Sequence, residues 1–369
     1  SPPAAPTQYW DTGPGVGIQG GDGTWGLFDP DTNWSTTASG SPLSVWTNGA
    51  HAWFVQPSNG TPSTISVTND LSVGTITFSG GPYTIRVTNA ILSSTGTVTV
   101  GSGALGNSNT IHILPGAVWN VGTQKLFLGS SGAGTGNTLI VNGGMVTNIS
   151  DPASVYGLTF GGAGNRLVIS NAGQVVVTSG EYSYIGDAVG RNGNQALITD
   201  PGSAWFAHYV SLAGNSGSLT VSNGGAFAGG DSVVIGDSGA SSSNSVVVTG
   251  SGSTLTNKFW AEVGYSTGGG NNLTISDGGK VVNGEMGYIG YGTGGSNWVL
   301  VTGPGSVWSN KFDSIGYGFE LGFYSSSNSL VISNGGRVAV QALSIIGYGY
   351  PATNANHNRA VVTGPGSVW

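Results

Sequence analysis

The sequence predicts an all-β chain wound as a parallel β-helix, or β-solenoid, with coils of about 28 residues. Three observations predict this fold. A short phrase recurs along the chain, the apolar residues within each repeat alternate with polar ones, and 68 of the 369 residues are glycine. Such a chain can bury a core, because it also holds 11 Trp, 13 Tyr and 11 Phe.

The recurring phrase is Asn-x-(Leu/Val)-x-(Ile/Val)-(Ser/Thr), and a glycine-rich turn follows it. One version reads NSLVISNGGRV (328–338) and the other NWVLVTGPGSVW (297–308). Its copies recur at intervals of 23 to 31 residues from residue 109 to the end. Most repeats also contain a second phrase, such as VIGD (234–237) or YIGY (288–291). Each repeat therefore contains two or three short strands joined by turns.

Alternation of apolar residues indicates strands with one buried face. Leu330 and Ile332 precede the turn at 334–336, and Val338 and Val340 follow it with the same period of two. Asn-Gly-Gly suits a turn that passes through positive φ. A β-propeller with blades of about 54 residues is the alternative. The solenoid is favoured because a single repeat already has its own turns and its own Asn.

Residues 1–63 are predicted to form an N-terminal cap or assembly segment, and residues 64–369 the β-helix, with regular coils from 109. A solenoid end exposes apolar core and strand edges, which atypical terminal units must cover. Five of the eleven tryptophans lie within 9–53, and we expect them to form this cap: Trp10, Trp25, Trp34, Trp46 and Trp53.

Composition excludes several classes of function. Only 7% of the residues are charged and the net charge is −7, with no basic patch for a phosphate backbone, so no nucleic-acid partner is expected. The chain has no cysteine for disulfides, thiolate ligands or a nucleophile. No apolar run is long enough to predict a membrane span in this chain. The opening at Ser1 suggests a mature or trimmed chain that is secreted.

The segments YWDTGPGVGIQGGDGTWG (9–26) and LSVGTITFSGGPYTIRV (71–87), followed by the NGG and GPGSVW coils, carry a family resemblance. The chain resembles secreted bacterial proteins with autotransporter-associated β-strand repeats. The resemblance implies a bacterial protein that is extracellular or on the cell surface. Such proteins sometimes end in an outer-membrane barrel or a sorting signal, and neither is expected in this chain.

Asparagines recur at one position of most coils, where their amides could hydrogen-bond along the solenoid axis. We expect a structural ladder with these members: Asn109, Asn137, Asn165, Asn194, Asn244, Asn271, Asn297, Asn328 and Asn358.

Tyrosines recur in the second phrase and predict an aromatic column: Tyr265, Tyr291, Tyr317 and Tyr348, with Tyr288 and Tyr350 beside it. Such a column could contact sugar rings or another solenoid. Cross-strand packing of the rings would explain it without any ligand.

No pattern predicts catalytic, cofactor-binding or metal-binding residues, so we expect no enzyme and no cofactor. The best acidic pair by stacking is Asp187 with Asp237, which tyrosines replace in later coils. A polysaccharide-degrading enzyme would lose support if these two and Asp313 were solvated and unpaired. The histidines do not have metal-ligand spacing: His51, His112, His208 and His357.

The leading hypothesis is an extracellular structural β-solenoid: an adhesin, or a filament or sheath subunit that assembles head to tail. Ser1–Trp10 would donate a strand and Asn358–Trp369 would accept it, with contacts through Tyr9, Trp10, Val368 and Trp369. The alternative is a carbohydrate-binding surface domain, and a polysaccharide-degrading enzyme ranks below it. Expected partners are further copies of the chain, glycans or other surface proteins.

Overall fold

The computed structural model describes residues 4–28, 30–58, 60–130, 132–151, 153, 156–178, 180–188, 190–349 and 355–369. The predicted fold is confirmed: the chain is an all-β parallel β-solenoid with coils of about 27 residues, and these described residues contain no helix. By compactness the chain divides into two units, Ser1–Glu181 and Tyr182–Trp369, each of which is described by itself.

The first unit contains nineteen of the strands. In chain order they are β1 (Thr7–Trp10), β2 (Gly23–Thr24), β3 (Trp34–Ser35), β4 (Leu43–Ser44), β5 (His51–Phe54), β6 (Ser63–Val67), β7 (Leu71–Val73), β8 (Ile76–Phe78), β9 (Tyr83–Val87), β10 (Ile91–Ser94), β11 (Val98–Val100), β12 (Thr110–Ile113), β13 (Val118–Gln124), β14 (Leu126–Leu128), β15 (Thr138–Asn142), β16 (Met145–Ile149), β17 (Tyr156–Thr159), β18 (Arg166–Ser170) and β19 (Gln174–Val177).

The second unit contains the other twenty. They are β20 (Tyr182–Tyr184), β21 (Gln195–Thr199), β22 (Ala204–Ala207), β23 (Tyr209–Leu212), β24 (Ser218–Ser222), β25 (Ala226–Gly229), β26 (Val233–Ile235), β27 (Ser245–Thr249), β28 (Thr254–Asn257), β29 (Ala261–Val263), β30 (Asn272–Ser276), β31 (Lys280–Asn283), β32 (Gly287–Ile289), β33 (Trp298–Thr302), β34 (Val307–Asn310), β35 (Tyr317–Leu321), β36 (Ser329–Ser333), β37 (Arg337–Val340), β38 (Leu343–Ile346) and β39 (Arg359–Thr363).

Each unit has three sheets, because a coil contributes one strand to each. In the second unit, sheet A has the order β20-β23-β26-β29-β32-β35-β38, sheet B β21-β24-β27-β30-β33-β36-β39, and sheet C β22-β25-β28-β31-β34-β37. Equivalent residues of successive coils lie side by side, as Val246, Leu273 and Val299 do in sheet B. Side chains of one type therefore stack along the axis of the unit.

The first unit repeats this arrangement, and its start differs. Its sheet A runs β4-β3-β1-β5-β8-β11-β14-β17, its sheet B β2-β6-β9-β12-β15-β18, and its sheet C β7-β10-β13-β16-β19. β1 pairs in parallel with β5 and antiparallel with β3, and β3 pairs antiparallel with β4. β2 pairs with β6, so strands on both sides of the predicted boundary at residue 63 share a sheet. That boundary stays a prediction.

The core of each coil follows the period-two pattern of the sequence. In β30, Leu273 and Ile275 face inward and are at most 1% exposed, whereas their neighbours are half-buried. Burial of one such aliphatic side chain stabilises the fold by roughly 1.5–3 kcal/mol. Stacked coils supply a continuous apolar interior that no single coil could form alone.

The Trp-rich cluster predicted near the N-terminus is present. Trp10, Trp25 and Trp34 are fully buried, and Trp46 is nearly so. The Trp34 ring lies 4.9 Å from that of Trp25 and 4.6 Å from that of Trp46, centroid to centroid. Trp53 differs from the others, because it is 37% exposed. Four indoles thus form the interior of the first turns of this unit.

Candidate functional site

The outward side of sheet A in the second unit carries a column of buried and half-buried side chains. Residues that face the core alternate along each strand with residues that face outward. Strand register places the outward residues of successive coils beside one another. From β23 to β38 this outward column is Ser211, Val234, Glu262, Tyr288, Glu320 and Ile345.

Two glutamates of this column are buried although they face away from the core. Glu262 and Glu320 are each only 5% exposed. Aromatic and acidic side chains from the flanking turns cover the column and leave two clefts, one at each glutamate. An ionised carboxyl group loses hydration when it is buried, which costs free energy unless a partner compensates. The clefts are therefore the candidate functional site.

The Glu262 cleft has a volume of about 260 Å³. Its lining combines aromatic rings with three carboxyl groups: Tyr182, Tyr209, Asp231, Val234, Asp237, Trp260, Glu262 and Tyr265. Four of these residues lie within β20, β23, β26 and β29, and the other four lie just before or after β26 or β29. Neighbouring coils therefore build the cleft from equivalent positions.

The two aspartates of this cleft are held by hydroxyl groups. Asp237 accepts hydrogen bonds from Tyr209 Oη at 3.1 Å and from Ser211 Oγ at 2.7 Å. The Asp231 carboxyl accepts one from Ser232 Oγ at 2.7 Å, and His208 Nδ1 lies 3.9 Å from its other oxygen. No described residue donates a hydrogen bond to the Glu262 carboxyl. The two kinds of acid in the cleft thus differ in environment.

The buried environment of Glu262, which has no hydrogen-bond donor among the described residues, determines its charge. Burial raises the pKa of Glu262 to about 8, and the nearby carboxylates of Asp237 and Asp231 add to the rise. Glu262 is therefore mostly protonated at neutral pH, and its carboxyl group can donate a hydrogen bond into the cleft.

The Glu320 cleft is larger, with a volume of about 320 Å³. This lies at the lower end of the range of small-molecule sites, ~300–1,000 Å³. Its lining is Tyr288, Tyr291, Asp313, Ile315, Tyr317, Glu320, Phe323, Ile345 and Tyr348.

In the Glu320 cleft too, the aspartate is hydrogen-bonded and the glutamate has no donor among the described residues. Asp313 Oδ1 accepts the backbone N–H groups of Ile315 at 3.0 Å and of Tyr317 at 2.9 Å, which fixes the loop before β35. Glu320 accepts no hydrogen bond from a described residue. Burial, and then the charge of Asp313, raise the pKa of Glu320 to about 7. Each cleft therefore holds one buried glutamate beside hydrogen-bonded aspartates, two in the Glu262 cleft and one in the Glu320 cleft.

An aromatic column runs beside both clefts, and its rings are nearly parallel. Tyr265 and Tyr291 lie 5.6 Å apart at 4°, Tyr291 and Phe323 5.2 Å apart at 2°, and Phe323 and Tyr348 5.0 Å apart at 14°. Each inner ring is covered on both faces by its neighbours. The column thus presents ring edges and tyrosine hydroxyls to a ligand. Only its terminal rings keep a face that no other ring of the column covers.

Tyr317 was expected in this column, but the structure places Phe323 there. β35 pairs with β32 through Phe319, Glu320 and Leu321, so the coil phrase is ELGF (320–323) and not SIGY (314–317). The longer loop before β35 shifts the phrase along the chain. Tyr317 instead lines the Glu320 cleft. Tyr288 lies beside the column at 5.2 Å from Tyr291, and Tyr350 lies outside the described residues.

The recurring asparagines form hydrogen-bonded chains within each unit. In the second unit, Asn244, Asn271, Asn297 and Asn328 each donate from the backbone N–H and from Nδ2 to Oδ1 of the next asparagine, and Asn358 ends the chain. The first unit has the same pattern from Asn109 through Asn137 to Asn165. These amides satisfy one another inside the solenoid.

The regular pattern changes at the coil between Asn194 and Asn244. Gly217 occupies the equivalent position there, and its N–H donates to Asn244 Oδ1 at 2.8 Å. Asn194 Nδ2 donates to the carbonyl of Arg191. The short interval of 23 residues in this part of the sequence accompanies the loss of one ladder amide.

Sequence reasoning missed a second, shorter ladder. Asn257 Nδ2 donates to Asn283 Oδ1 at 3.1 Å, and Asn283 Nδ2 donates to Asn310 Oδ1 at 2.7 Å. All three side chains are buried at the ends of sheet C strands. Their spacing of 26 and 27 residues is the signal that could have found them.

The predicted acidic pair does not share a cleft. Asp187 pairs with Arg191 at 3.0 Å, whereas Asp237 lines the Glu262 cleft. The three aspartates of interest are therefore not all solvated and unpaired, because Asp313 is also hydrogen-bonded. No three His, Asp or Glu residues of the described ranges lie close enough to hold a metal ion.

The four histidines are dispersed. His51 Nδ1 lies within hydrogen-bonding distance of Thr75, at 3.0 Å from its backbone nitrogen. Burial lowers the pKa of His112, and Arg86 adds to this effect. His208 is the histidine beside the Glu262 cleft, and His357 lies in the turn before β39.

The residues proposed as assembly contacts have different environments. Tyr9 and Trp10 lie in β1, both edges of which are paired, and Trp10 is fully buried. Ser1 lies outside the described residues. Val368 forms a parallel bridge with Arg337 and is 49% exposed, and the Trp369 ring lies 5.6 Å from that of Phe319. Donation of β1 to another chain would require these internal pairs to open.

No protein-family model matches this chain, and neither curated proteins nor solved structures include a significant match. Among the described residues, a helix with the length and hydropathy needed to cross a bilayer is not found.

Proposed function

We propose that this chain is an extracellular β-solenoid that binds saccharides on the outward side of sheet A in its second unit. The solenoid serves as a rigid support, as expected of the surface proteins with autotransporter-associated repeats that the sequence resembles. The partners proposed are glycans of a cell surface or matrix. Binding, and not catalysis, is the proposed activity.

One observation carries the proposal: a buried glutamate faces outward at the base of a cleft walled by aromatic rings. Other coils place uncharged side chains at this position: Ser211, Val234, Tyr288 and Ile345. Glu320 instead loses most of its exposure to solvent, and no described residue donates a hydrogen bond to it. Ligand hydroxyl groups would supply the missing hydrogen bonds.

The composition of the Glu320 cleft favours a saccharide over an apolar ligand. Carboxyl groups of Asp313 and Glu320 lie among the hydroxyl-bearing rings of Tyr288, Tyr291 and Tyr317. Sugars combine hydroxyl groups with apolar C–H faces, so they match a wall that alternates in the same way. The inner rings of the aromatic column expose edges, and their role is to shape the wall.

A glycan array followed by calorimetric titration tests this function. We expect the chain to bind oligosaccharides, and Glu320→Gln to weaken the affinity at least tenfold, because a hydrogen bond to a charged group contributes ~1.5–3 kcal/mol. Glu285→Gln is the matched control, since it removes the same charge at a residue that lines neither cleft. Absence of binding to every glycan, or equal losses in both variants, would contradict the proposal.

Polysaccharide hydrolysis is the second candidate function. The Glu262 cleft places a carboxyl group of raised pKa near a hydrogen-bonded aspartate, which is the contrast that glycoside hydrolases use for acid and base roles. Release of reducing ends from a bound polysaccharide, with loss of release in Glu262→Gln, would favour the hydrolase over simple binding.

The adhesin role and head-to-tail assembly stay predictions. Electron microscopy of the purified chain distinguishes separate rods from continuous filaments. Normal filaments after deletion of residues 1–10 would remove the strand-donor hypothesis.

A further inference from the structure

We propose that the Glu262 cleft binds a positively charged amino group, so that the saccharides recognised by this chain are those that carry a free amine. This inference rests on the proposed saccharide binding and narrows its substrate class. The two clefts would then have different tasks: the Glu320 cleft holds hydroxyl groups, and the Glu262 cleft selects the amine.

Acidic side chains dominate the charge of the cleft. Asp231, Asp237 and Glu262 line it, and no lysine or arginine of the described ranges does. The nearest basic ring is that of His208, which contacts Asp231 from outside the lining. Lys258, in the turn before β29, lies over the Phe259 ring at 4.8 Å and is not part of the lining. A cation is the ligand that this arrangement attracts most strongly.

The aromatic wall of the Glu262 cleft also favours a cation. Trp260, Tyr265, Tyr182 and Tyr209 line the same space as the carboxyl groups. Tyr265 ends the aromatic column, so one of its faces is free of the stacked rings. Ammonium groups are stabilised over the faces of Trp and Tyr rings by cation–π attraction, most strongly where water is excluded.

The carboxyl group of Glu262 also favours an ammonium ligand. It is 95% buried, lines the cleft and accepts no hydrogen bond from any described residue. An ammonium group carries three N–H donors, whereas a sugar hydroxyl carries one. A bound amine could therefore satisfy Glu262 while the neighbouring aspartates keep their bonds to Ser211 and Ser232.

The position of Glu262 couples cation binding to pH. The titratable groups around it are Asp231, Asp237, Tyr182, Tyr209, Tyr265, Tyr288 and Tyr291, with His208, Lys258 and Glu285 in the adjoining turns. In the free protein Glu262 is protonated below its raised pKa. A bound cation favours the ionised form, so binding releases a proton and the affinity rises with pH.

The test compares chitosan oligosaccharides, which carry free amines, with fully N-acetylated oligosaccharides of the same length, by calorimetry on the full chain. At pH 6.5 we expect the free amines to bind at least tenfold more tightly. From pH 5.0 to 6.5 the affinity for the free amines should rise severalfold relative to that for the acetylated oligosaccharides, since ionisation of Glu320 acts on both alike.

Glu262→Gln should abolish both the preference and its pH dependence. Glu320→Gln, the same change in the other cleft, should weaken both oligosaccharides and leave the preference intact. Should Glu262→Gln fail to fold by circular dichroism, Trp260→Ala serves instead, since that half-buried residue forms the cation–π wall and should lower the preference several-fold.

Equal binding of both oligosaccharides, or tighter binding of the acetylated one, would overturn the amine site and leave saccharide binding standing. Binding of neutral array glycans without binding of either chito-oligosaccharide would also overturn the amine site and leave saccharide binding standing. If no glycan bound to the chain, both the amine site and the proposed saccharide binding would be overturned. A preference that survives Glu262→Gln and Trp260→Ala would place the amine site elsewhere and contradict this inference.

Discussion

Replacing Asn297 by alanine is expected to lower the free energy of unfolding of the second unit by about 4 kcal/mol. The Asn297 side chain is fully buried and makes hydrogen bonds in three directions. Its Nδ2 donates to Gly294 O at 2.8 Å and to Asn328 Oδ1, and its Oδ1 accepts both N–H groups of Asn271. Alanine leaves several of these groups buried without a partner, each at a cost of ~1–3 kcal/mol.

Urea denaturation followed by circular dichroism measures this loss. Asn272→Ala is the matched control, because Asn272 is the first residue of the equivalent strand one coil earlier, and its half-buried side chain accepts a hydrogen bond from Ser245 Oγ at 2.8 Å and donates one to Asn244 O at 3.3 Å. We expect the control to cost less than about 1 kcal/mol. Similar losses for the two variants would mean that the ladder does not stabilise the solenoid.

Replacing Trp34 by alanine is expected to destabilise the first unit by about 4 kcal/mol. Its indole lies at the centre of the cluster and contacts the rings of Trp10, Trp25, Trp46 and Phe54. A small side chain would leave a cavity that neighbouring strands cannot close, because β3 is paired on both edges. Tryptophan fluorescence during urea unfolding reports the effect.

Two further variants separate packing from hydrogen bonding at this position. Trp34→Phe should cost less than about 2 kcal/mol, because Trp34 Nε1 has no partner among the described residues and phenylalanine keeps much of the ring. Trp53→Ala should have a small effect, since that residue is 37% exposed. A larger loss for Trp53→Ala than for Trp34→Ala would contradict the role assigned to the buried cluster.

The sequence predicts the solenoid well because its physical signals repeat. A coil of regular length places Leu273 beside Val299, and the same apolar pair recurs in each coil, so periodicity alone identifies the core. The asparagines are recognisable for the same reason. Glycines of the second phrase also belong to this pattern: Gly264 has φ +82, and a Cβ there would meet the Asn297 amide.

The site could not be predicted in the same way, because its residues do not repeat. Glu262 and Glu320 replace Val234 in the outward column, and a single glutamate in a strand normally indicates a solvated position. The longer loop before β35 brings Asp313 into the Glu320 cleft, whereas Trp260 lies in a turn as long as those of the neighbouring coils, at the position of Ser232. The loop before β35 also contains SIGY, a false copy of the phrase. The pattern therefore predicted Tyr317 in the aromatic column, where the structure has Phe323.

A crystal structure of the full chain with an oligosaccharide that binds it tests the central claim most directly. The account predicts electron density for the saccharide on the outward side of sheet A in the second unit, with a ligand oxygen within hydrogen-bonding distance of the Glu320 carboxyl. A saccharide bound to sheet B or sheet C, with both clefts holding only water, would contradict it.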